Sequence, residues 1–289
     1  MAAGDLGLIV LERLLEEHNC IFIFTDATSS QLIETTRKLN IPVYIGNPRD
    51  GKGVEVFNKT CSVRPDVLVS VNYRFLIDLD LINLPTLHSI NIHGSLLPRY
   101  RGRAPLIWAI INGEIVSGIT VHVIDEDCDT GPVIFQRVIE IPMNATGFEM
   151  VDYYGSLYPD IVVEALNEIS SGKCNLSPQA NNLATYYGKR SPDDGLINWS
   201  WQYQRIQNWV RALAPPYPGA FSYLNGIKII VDKVVATKHG YRYDQTNGTV
   251  IAVDDGYPIV KVQNSSLKIY SPYFENKISV KVGDQFLDS

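Results

Sequence analysis

Cysteine is scarce in this 289-residue chain: Cys20, Cys61, Cys128 and Cys174 stand far apart, with no C-x-x-C pair. That spacing offers neither a zinc site nor a disulfide framework. There is no clustered set of metal-ligand side chains, so no metal is expected. No apolar run reaches membrane-spanning length, and nothing at the amino end resembles a signal peptide. A cytoplasmic protein with reduced thiols, and no membrane partner, is the expectation. A full G-x-G-x-x-G turn, an internal repeat and a low-complexity tract are also missing. Strong positive charge is lacking: the net charge of −6 weighs against a dedicated nucleic-acid binder. The charge is uneven, however. Residues 201–289 carry ten Lys/Arg against seven Asp/Glu, which leaves −9 on the first 200.

What the chain has is 45% hydrophobic residues, ordinary for a globular protein, over a length that suits one large or two smaller domains. Its most informative stretch is 89–105, S-I-N-I-H-G-S-L-L-P-R-Y-R-G-R-A-P. An apolar strand breaks there into a loop marked by glycine and proline. Asn91 and His93 sit two apart, a spacing that puts both side chains on one face of a strand. One offers a neutral amide, the other a base that titrates near neutral pH. Arg99, Arg101 and Arg103 follow. Taken singly, these residues are ordinary: a strand-end histidine packs, an asparagine turns the chain, and loop arginines are solvated.

A second stretch changes the balance: 118–136, G-I-T-V-H-V-I-D-E-D-C-D-T-G-P-V-I-F-Q. Two apolar strands flank an acidic turn that ends in Asp129-Thr130-Gly131-Pro132. Asp129 lies 36 residues after His93, room for a helix and a strand in a crossover that returns the chain beside the first strand. An aspartate that reaches a histidine raises its basicity and orients its ring. Cys128, adjacent to Asp129, has no second base and reads as an incidental thiol rather than a nucleophile.

The paired motifs N-I-H-G-S-L-L-P-R-Y-R-G-R-A-P and D-T-G-P-V-I-F-Q resemble the folate-dependent formyltransferases. The closest likeness is to the branch holding methionyl-tRNA formyltransferase and the sugar-nucleotide N-formyltransferases. The resemblance implies Asn91, His93 and Asp129 as the catalytic set and 10-formyltetrahydrofolate as formyl donor. It implies folate contacts at Tyr73, Arg74, Phe75, Leu76, Asp125 and Asp127. It also implies acceptor contacts at Ser95, Arg101, Gly102, Arg103 and Pro105, and a homodimer. Formyl transfer to an amine needs a base for the amine proton, a donor for the oxyanion and a proton for the leaving nitrogen. His93 suits the first, Asn91 the second, and Asp129 the relay.

The first acceptor reading is a nucleotide-linked amino sugar, such as a dTDP-sugar of lipopolysaccharide O-antigen biosynthesis. It rests on the likeness of R-Y-R-G-R-A-P, D-D-G-L-I (193–197) and P-Y-P-G-A-F-S-Y (216–223) to the sugar-modifying members. Loop arginines suit a diphosphate through bidentate hydrogen bonds. Methionyl-tRNA is the second reading, supported by the basic tail. Glycinamide ribonucleotide is disfavoured, because that branch looks shorter and lacks the β tail. A non-catalytic folate- or nucleotide-binding protein is the alternative from another class, and the intact triad argues against it.

The expected fold is α/β. A Rossmann-like parallel-sheet domain over 1–172 is followed by a linker, 173–200, rich in Asn, Ser, Pro and Tyr. A small β-rich, barrel-like, OB-type domain with one helix follows over 201–289. Helices are expected at 8–17, 29–39 (capped by Ser29 or Ser30), 104–111, 146–171 and 201–213. Thr146 and Glu149 form a capping box for the fourth of these. Strands are expected at 20–25, 41–45, 67–71, 87–92, 118–124 and 132–141, then at 227–236, 248–253, 258–263, 266–271 and 278–282. One departure stands out. A doubly wound domain opens with an apolar strand, a glycine turn and a helix. Here Gly4 and Gly7 look like the turn with its strand missing: either the start is assigned late, or the chain is trimmed, or it lacks a central strand, and the last would leave an unfilled slot and destabilise the sheet.

Overall fold

The computed structural model describes residues 1–276 and 279–287. The elements run α1 (Gly4–Leu14), β1 (Ile23–Thr25), α2 (Ser30–Lys38), β2 (Val43–Ile45), α3 (Lys52–Thr60), β3 (Val67–Val71), α4 (Leu79–Ile82), β4 (His88–His93), β5 (Arg101–Gly102), α5 (Pro105–Ile111), β6 (Val116–Val123), β7 (Val133–Glu140), α6 (Gly147–Ser170) and β8 (Tyr186–Tyr187). They continue α7 (Tyr203–Ala212), β9 (Ala220–Leu224), β10 (Ile227–Val231), β11 (Lys233–Thr237), β12 (Val250–Asp254), β13 (Tyr257–Val262), β14 (Ser265–Tyr270), α8 (Pro272–Asn276) and β15 (Phe286–Leu287). Two compact units result. One holds residues 1–105, 118–139 and 153–187; the other holds 106–117, 140–152 and 188–289.

The first unit is α/β, as expected. β1 pairs with β2 and β3 with β4, both parallel. β4 then pairs with β6 antiparallel, so the order β3-β4-β6-β7 ends in a reversal instead of the parallel crossover that the spacing suggested. The reversal sets Asn91 opposite His122 and His93 opposite Thr120. Residues 173–187, read from composition as part of a linker, belong to this unit. Ser177 bridges Val133, and β8 pairs with β5. Their polar side chains bond to the loop after β4, which is why a loop-like composition lies against the fold here.

Ala2 forms a parallel bridge with Val71, and its N–H donates to the Phe24 carbonyl at 3.0 Å. The chain therefore enters between β1 and β3, and α1 starts at Gly4 rather than residue 8. Ser29, expected to cap α2, accepts instead from the Gly4 N–H at 2.9 Å.

In the second unit the capping box opens α6 as expected. Glu149 accepts from the Thr146 N–H at 2.8 Å, and the Glu149 N–H donates to the Thr146 hydroxyl at 3.2 Å. The strand expected over 227–236 breaks at Asp232 into β10 and β11, which join different sheets, β10-β9-β15 and β11-β14-β13-β12. Asn225 and Gly226 both take positive φ, 50° and 77°, and close the β9–β10 hairpin in the twist-compatible turn. Residue 278 of the strand expected at 278–282 lies outside the described residues; 279–284 is irregular, and pairing resumes at β15. No helix among the described residues is long and apolar enough to cross a membrane.

Candidate active site

The carboxyl ends of β3 and β4 and the turn after β6 converge. This is the edge where open α/β sheets bind ligands. β4 delivers Asn91 and His93, and the 125–131 turn delivers Asp129 in a left-handed conformation, φ 58°.

His93 is 6% exposed. Its Nε2 lies 2.9 Å from the Tyr100 carbonyl, which can only accept, so Nε2 carries the proton and Nδ1 the lone pair. Nδ1 faces Asp129 Oδ1 at 3.6 Å, beyond hydrogen-bond length but close enough for strong Coulomb coupling. Burial pulls the imidazole below its ordinary value, and Asp129 only partly offsets this. His93 is therefore a neutral base at pH 7, its lone pair turned toward an anion.

Burial pushes the Asp129 carboxyl up, but the His122 ring, the His93 ring and the Gly102 N–H outweigh it and hold the group well below the usual carboxylate range. The Gly102 N–H donates to Oδ2 at 2.8 Å. The Cys128 thiol also donates to Oδ2, at 3.3 Å. Partial burial of that sulfur, together with the Asp129 charge, pushes Cys128 up to about 11. A thiol so raised carries little thiolate at pH 7 and is no nucleophile.

His122 completes the cluster. Its Nδ1 donates to the Val123 carbonyl at 2.9 Å, so Nε2 accepts from Asn91 Nδ2 at 3.2 Å. His122 Nε2 also stands 3.7 Å from Asp129 Oδ1. Asn91 is thereby oriented with one amide hydrogen used and a second available to a developing oxyanion. Sequence reading passes over His122. The signal was a titratable residue inside the apolar run of β6, but only the antiparallel register with β4 gives it a partner.

The loop after β4 is fixed by residues the sequence reading also missed. Thr120 donates to the Ser95 carbonyl at 2.6 Å and accepts from the Leu97 N–H at 3.2 Å. Gln136 donates to the Leu97 carbonyl at 2.8 Å. Gln179 donates to the carbonyls of Asp129 and Gly131, at 2.9 and 2.7 Å.

Two expected acceptor contacts are internal. Arg101 is 1% exposed, and its guanidinium binds Gln179, Asn181 and Tyr186, at 2.7, 2.8 and 2.6 Å. It clamps the loop to residues 179–186 and has no exposed face for a diphosphate. Ser95 is fully buried and donates to the Arg99 carbonyl at 2.7 Å, closing a turn. Pro105 starts α5.

Gly102, too, acts through its backbone. Its φ is 100°, and a Cβ would lie 2.3 Å from the Tyr187 carbonyl oxygen. Gly102→Ala is therefore expected to cost about 2 kcal/mol or more in stability and to pull the N–H from Asp129, so that melting temperature and turnover fall together. Thermal melting alongside an initial-rate assay checks this.

Arg103 is exposed and bonds the Arg74 carbonyl at 3.1 Å. Arg74 in turn faces Asp26 at 3.5 Å. Of the expected folate residues, Tyr73 and Phe75 are half-buried and meet edge to face at 5.6 Å, and Leu76 is 63% exposed beside them. Asp125 accepts from the Thr130 hydroxyl at 2.6 Å and closes its own turn, while Asp127 is exposed. Among the described residues no three His, Cys, Asp or Glu side chains are grouped to hold a metal ion.

This constellation sits in a chain whose residues 13–166 match the formyl transferase model and whose residues 189–287 match the formyl transferase C-terminal domain. The chain belongs to the formyl transferase family. The donor substrate of this formyltransferase is accordingly 10-formyltetrahydrofolate. It is 34% identical to a methionyl-tRNA formyltransferase of Ruminiclostridium cellulolyticum, over 98% of this chain and 94% of that one. It is 33% identical to the bifunctional polymyxin resistance protein ArnA of Wigglesworthia glossinidia brevipalpis, over 93% of this chain; the match spans 40% of that longer protein. Among solved structures, an N-formyltransferase from Helicobacter canadensis, in complex with folinic acid and dTDP-3-aminofucose, superposes with a TM-score of 0.72. That pair is 19% identical, over 93% of this chain and 97% of the other, a likeness of fold.

Proposed function

We propose that this formyltransferase acts on the amino group of a nucleotide-linked amino-deoxy sugar of the kind used in lipopolysaccharide O-antigen synthesis. In this reading residues 1–172 carry the transfer, 201–289 form an accessory β-rich part, and the enzyme works as a cytoplasmic homodimer. The acceptor amine attacks the formyl carbon of the donor. His93 Nδ1 takes the proton the amine loses, and Asp129 stabilises the imidazolium so formed. Asn91 Nδ2 donates to the oxyanion. As the bond from the formyl carbon to N10 breaks, N10 takes the proton, and tetrahydrofolate leaves.

The observation that carries the acceptor class is Arg103. Its exposed guanidinium is tethered beside the triad loop by one bond to the Arg74 carbonyl, a placement that suits a diphosphate. Support also comes from the fold shared with an enzyme crystallised with an amino-sugar nucleotide. Arg103→Ala is expected to raise the KM for the sugar nucleotide by about tenfold, equivalent to one charge-assisted hydrogen bond, and to leave the folate KM near its starting value. Steady-state kinetics with each substrate varied in turn checks this; equal rises would assign Arg103 to loop structure.

The second reading is a methionyl-tRNA acceptor, favoured by the 34% identity to a methionyl-tRNA formyltransferase. A thermal-shift panel separates the two. It uses a folate analogue alone, then with dTDP-, UDP- and GDP-linked amino sugars, and then with initiator tRNA. A ligand at a hundred times its Kd adds about 2.7 kcal/mol to stability. A further shift with one nucleotide sugar supports the first reading, and a shift confined to tRNA replaces it with the second.

A further inference from the structure

Asp26 follows β1 directly, at the carboxyl edge of the sheet where the site lies. It is 5% exposed, and the chemistry described above does not use it. A buried carboxylate is costly unless its oxygens are paired. Oδ1 is paired: it accepts from the Thr28 N–H at 2.7 Å and from the Thr28 hydroxyl, which closes the turn into α2. Oδ2 is buried and has no hydrogen-bond partner among the described residues. What faces it is the Arg74 guanidinium, with Nε at 3.5 Å. Burial pushes the Asp26 carboxyl up, but Thr28 and then Arg74 outweigh it and hold the group below the usual carboxylate range. Asp26 is therefore an anion at pH 7.

The turn alone does not need that anion. An asparagine offers Thr28 the same Oδ1 and avoids burying a charge. The charge has its use on the other side, at Arg74. That side chain is 55% exposed, so its guanidinium reaches from the buried Oδ2 out to solvent. A guanidinium has five N–H donors, and one of them turned to Asp26 leaves others for a ligand. The Arg74 carbonyl, meanwhile, accepts from Arg103 Nη2 at 3.1 Å. One residue thus carries a cation of its own and tethers a second. Two like charges so placed repel, and the carboxylate behind Arg74 offsets this.

We propose that Asp26 is a positioning residue for the acceptor's diphosphate, a role that rests on the nucleotide-sugar reading above: it holds Arg74 so that the Arg74 and Arg103 guanidiniums together grip the two phosphoryl groups. Arg74, a folate contact by family likeness, then serves the acceptor with its side chain. A guanidinium held in place beforehand loses less rotamer freedom when the ligand binds, so the effect of Asp26 falls on acceptor binding and not on the chemical step.

The test is steady-state kinetics on the full chain, with each substrate varied in turn and with free dTDP, UDP and GDP as competing ligands. Asp26→Asn keeps the Thr28 turn. It is expected to raise the KM for the sugar nucleotide, and the inhibition constant of the matching nucleoside diphosphate, by about tenfold each, with kcat and the folate KM held within about twofold. Arg74→Met is expected to do as much or more. Adding Asp26→Asn to Arg74→Met should bring little further rise, because Asp26 acts through Arg74. An Asp26→Asn enzyme that melts lower but keeps its KM values assigns Asp26 to the turn and overturns the proposal. A rise in the folate KM, which puts Arg74 on the donor, overturns it too, as does full additivity in the double variant. Failure to formylate any sugar nucleotide overturns the nucleotide-sugar reading and this role with it. A sugar-nucleotide KM that rises in Arg103→Ala and not in Asp26→Asn overturns this role alone.

Discussion

In His93→Ala, turnover falls by about 10²–10⁴-fold while the folate analogue still binds. The magnitude is that of a general base in proton transfer; the other ring beside Asp129, His122, has its Nε2 engaged by the Asn91 amide. Stability falls too, because His93 is buried and its hydrogen bond to the Tyr100 carbonyl is lost, a cost of about 1 kcal/mol or more. A structural role alone moves the melting curve and leaves the rate per folded molecule intact. A chemical role removes turnover at temperatures well below the transition. The pH profile separates them further. In the proposed role His93 acts as the neutral base, and burial sets its value below the ordinary imidazole, so activity in the parent is expected to hold at neutral pH and to fall only below the ordinary imidazole range. Stability has the same sign. The unfolded chain takes up this proton near pH 6.5 and the folded chain does not, so the contribution is present above that pH and is lost as pH falls through it.

Asp129→Asn is expected to lower turnover by about a hundredfold or more and to move the acid limb of the profile to still lower pH. Asparagine keeps the shape and can still accept from the Gly102 N–H. What it removes is the anion 3.6 Å from His93 and 3.7 Å from His122. Without that charge the imidazolium of the proposed transfer is unsupported in a buried site. Asp129, with its depressed value, also contributes stability above the ordinary carboxylate range that is lost on acidification below it, and the variant lacks that dependence. A pH-rate series across pH 5 to 8 checks the direction. An acid limb that stays in place, or moves up, contradicts the electrostatic role.

Much of this site is legible in the sequence, and the misses have identifiable causes. Asn91 and His93 at a strand end, and an acidic turn ending in Asp129, are local patterns, and local patterns survive folding. The gap of 36 residues permits either direction of return, so the antiparallel β6 and the approach of His122 to Asn91 are not fixed by spacing. Arg101 in a polar loop reads as solvated; it is buried because Gln179 and Asn181, 78 and 80 residues on, wrap its guanidinium. Ser95 and Ser29 read as contact or cap residues because a hydroxyl is equally suited to several partners. The break of 227–236 at Asp232 hides in a run of β-forming residues, since β-propensity does not say which sheet a strand joins.

The most direct measurement is product mass. The protein is incubated with 10-formyltetrahydrofolate and, in separate reactions, with dTDP-, UDP- and GDP-linked amino-deoxy sugars and methionyl initiator tRNA. Tetrahydrofolate release is followed in each. One N-formylated sugar nucleotide is expected, formed in step with tetrahydrofolate and absent with His93→Ala. Formylation of the tRNA alone, or product formation that survives His93→Ala, contradicts it.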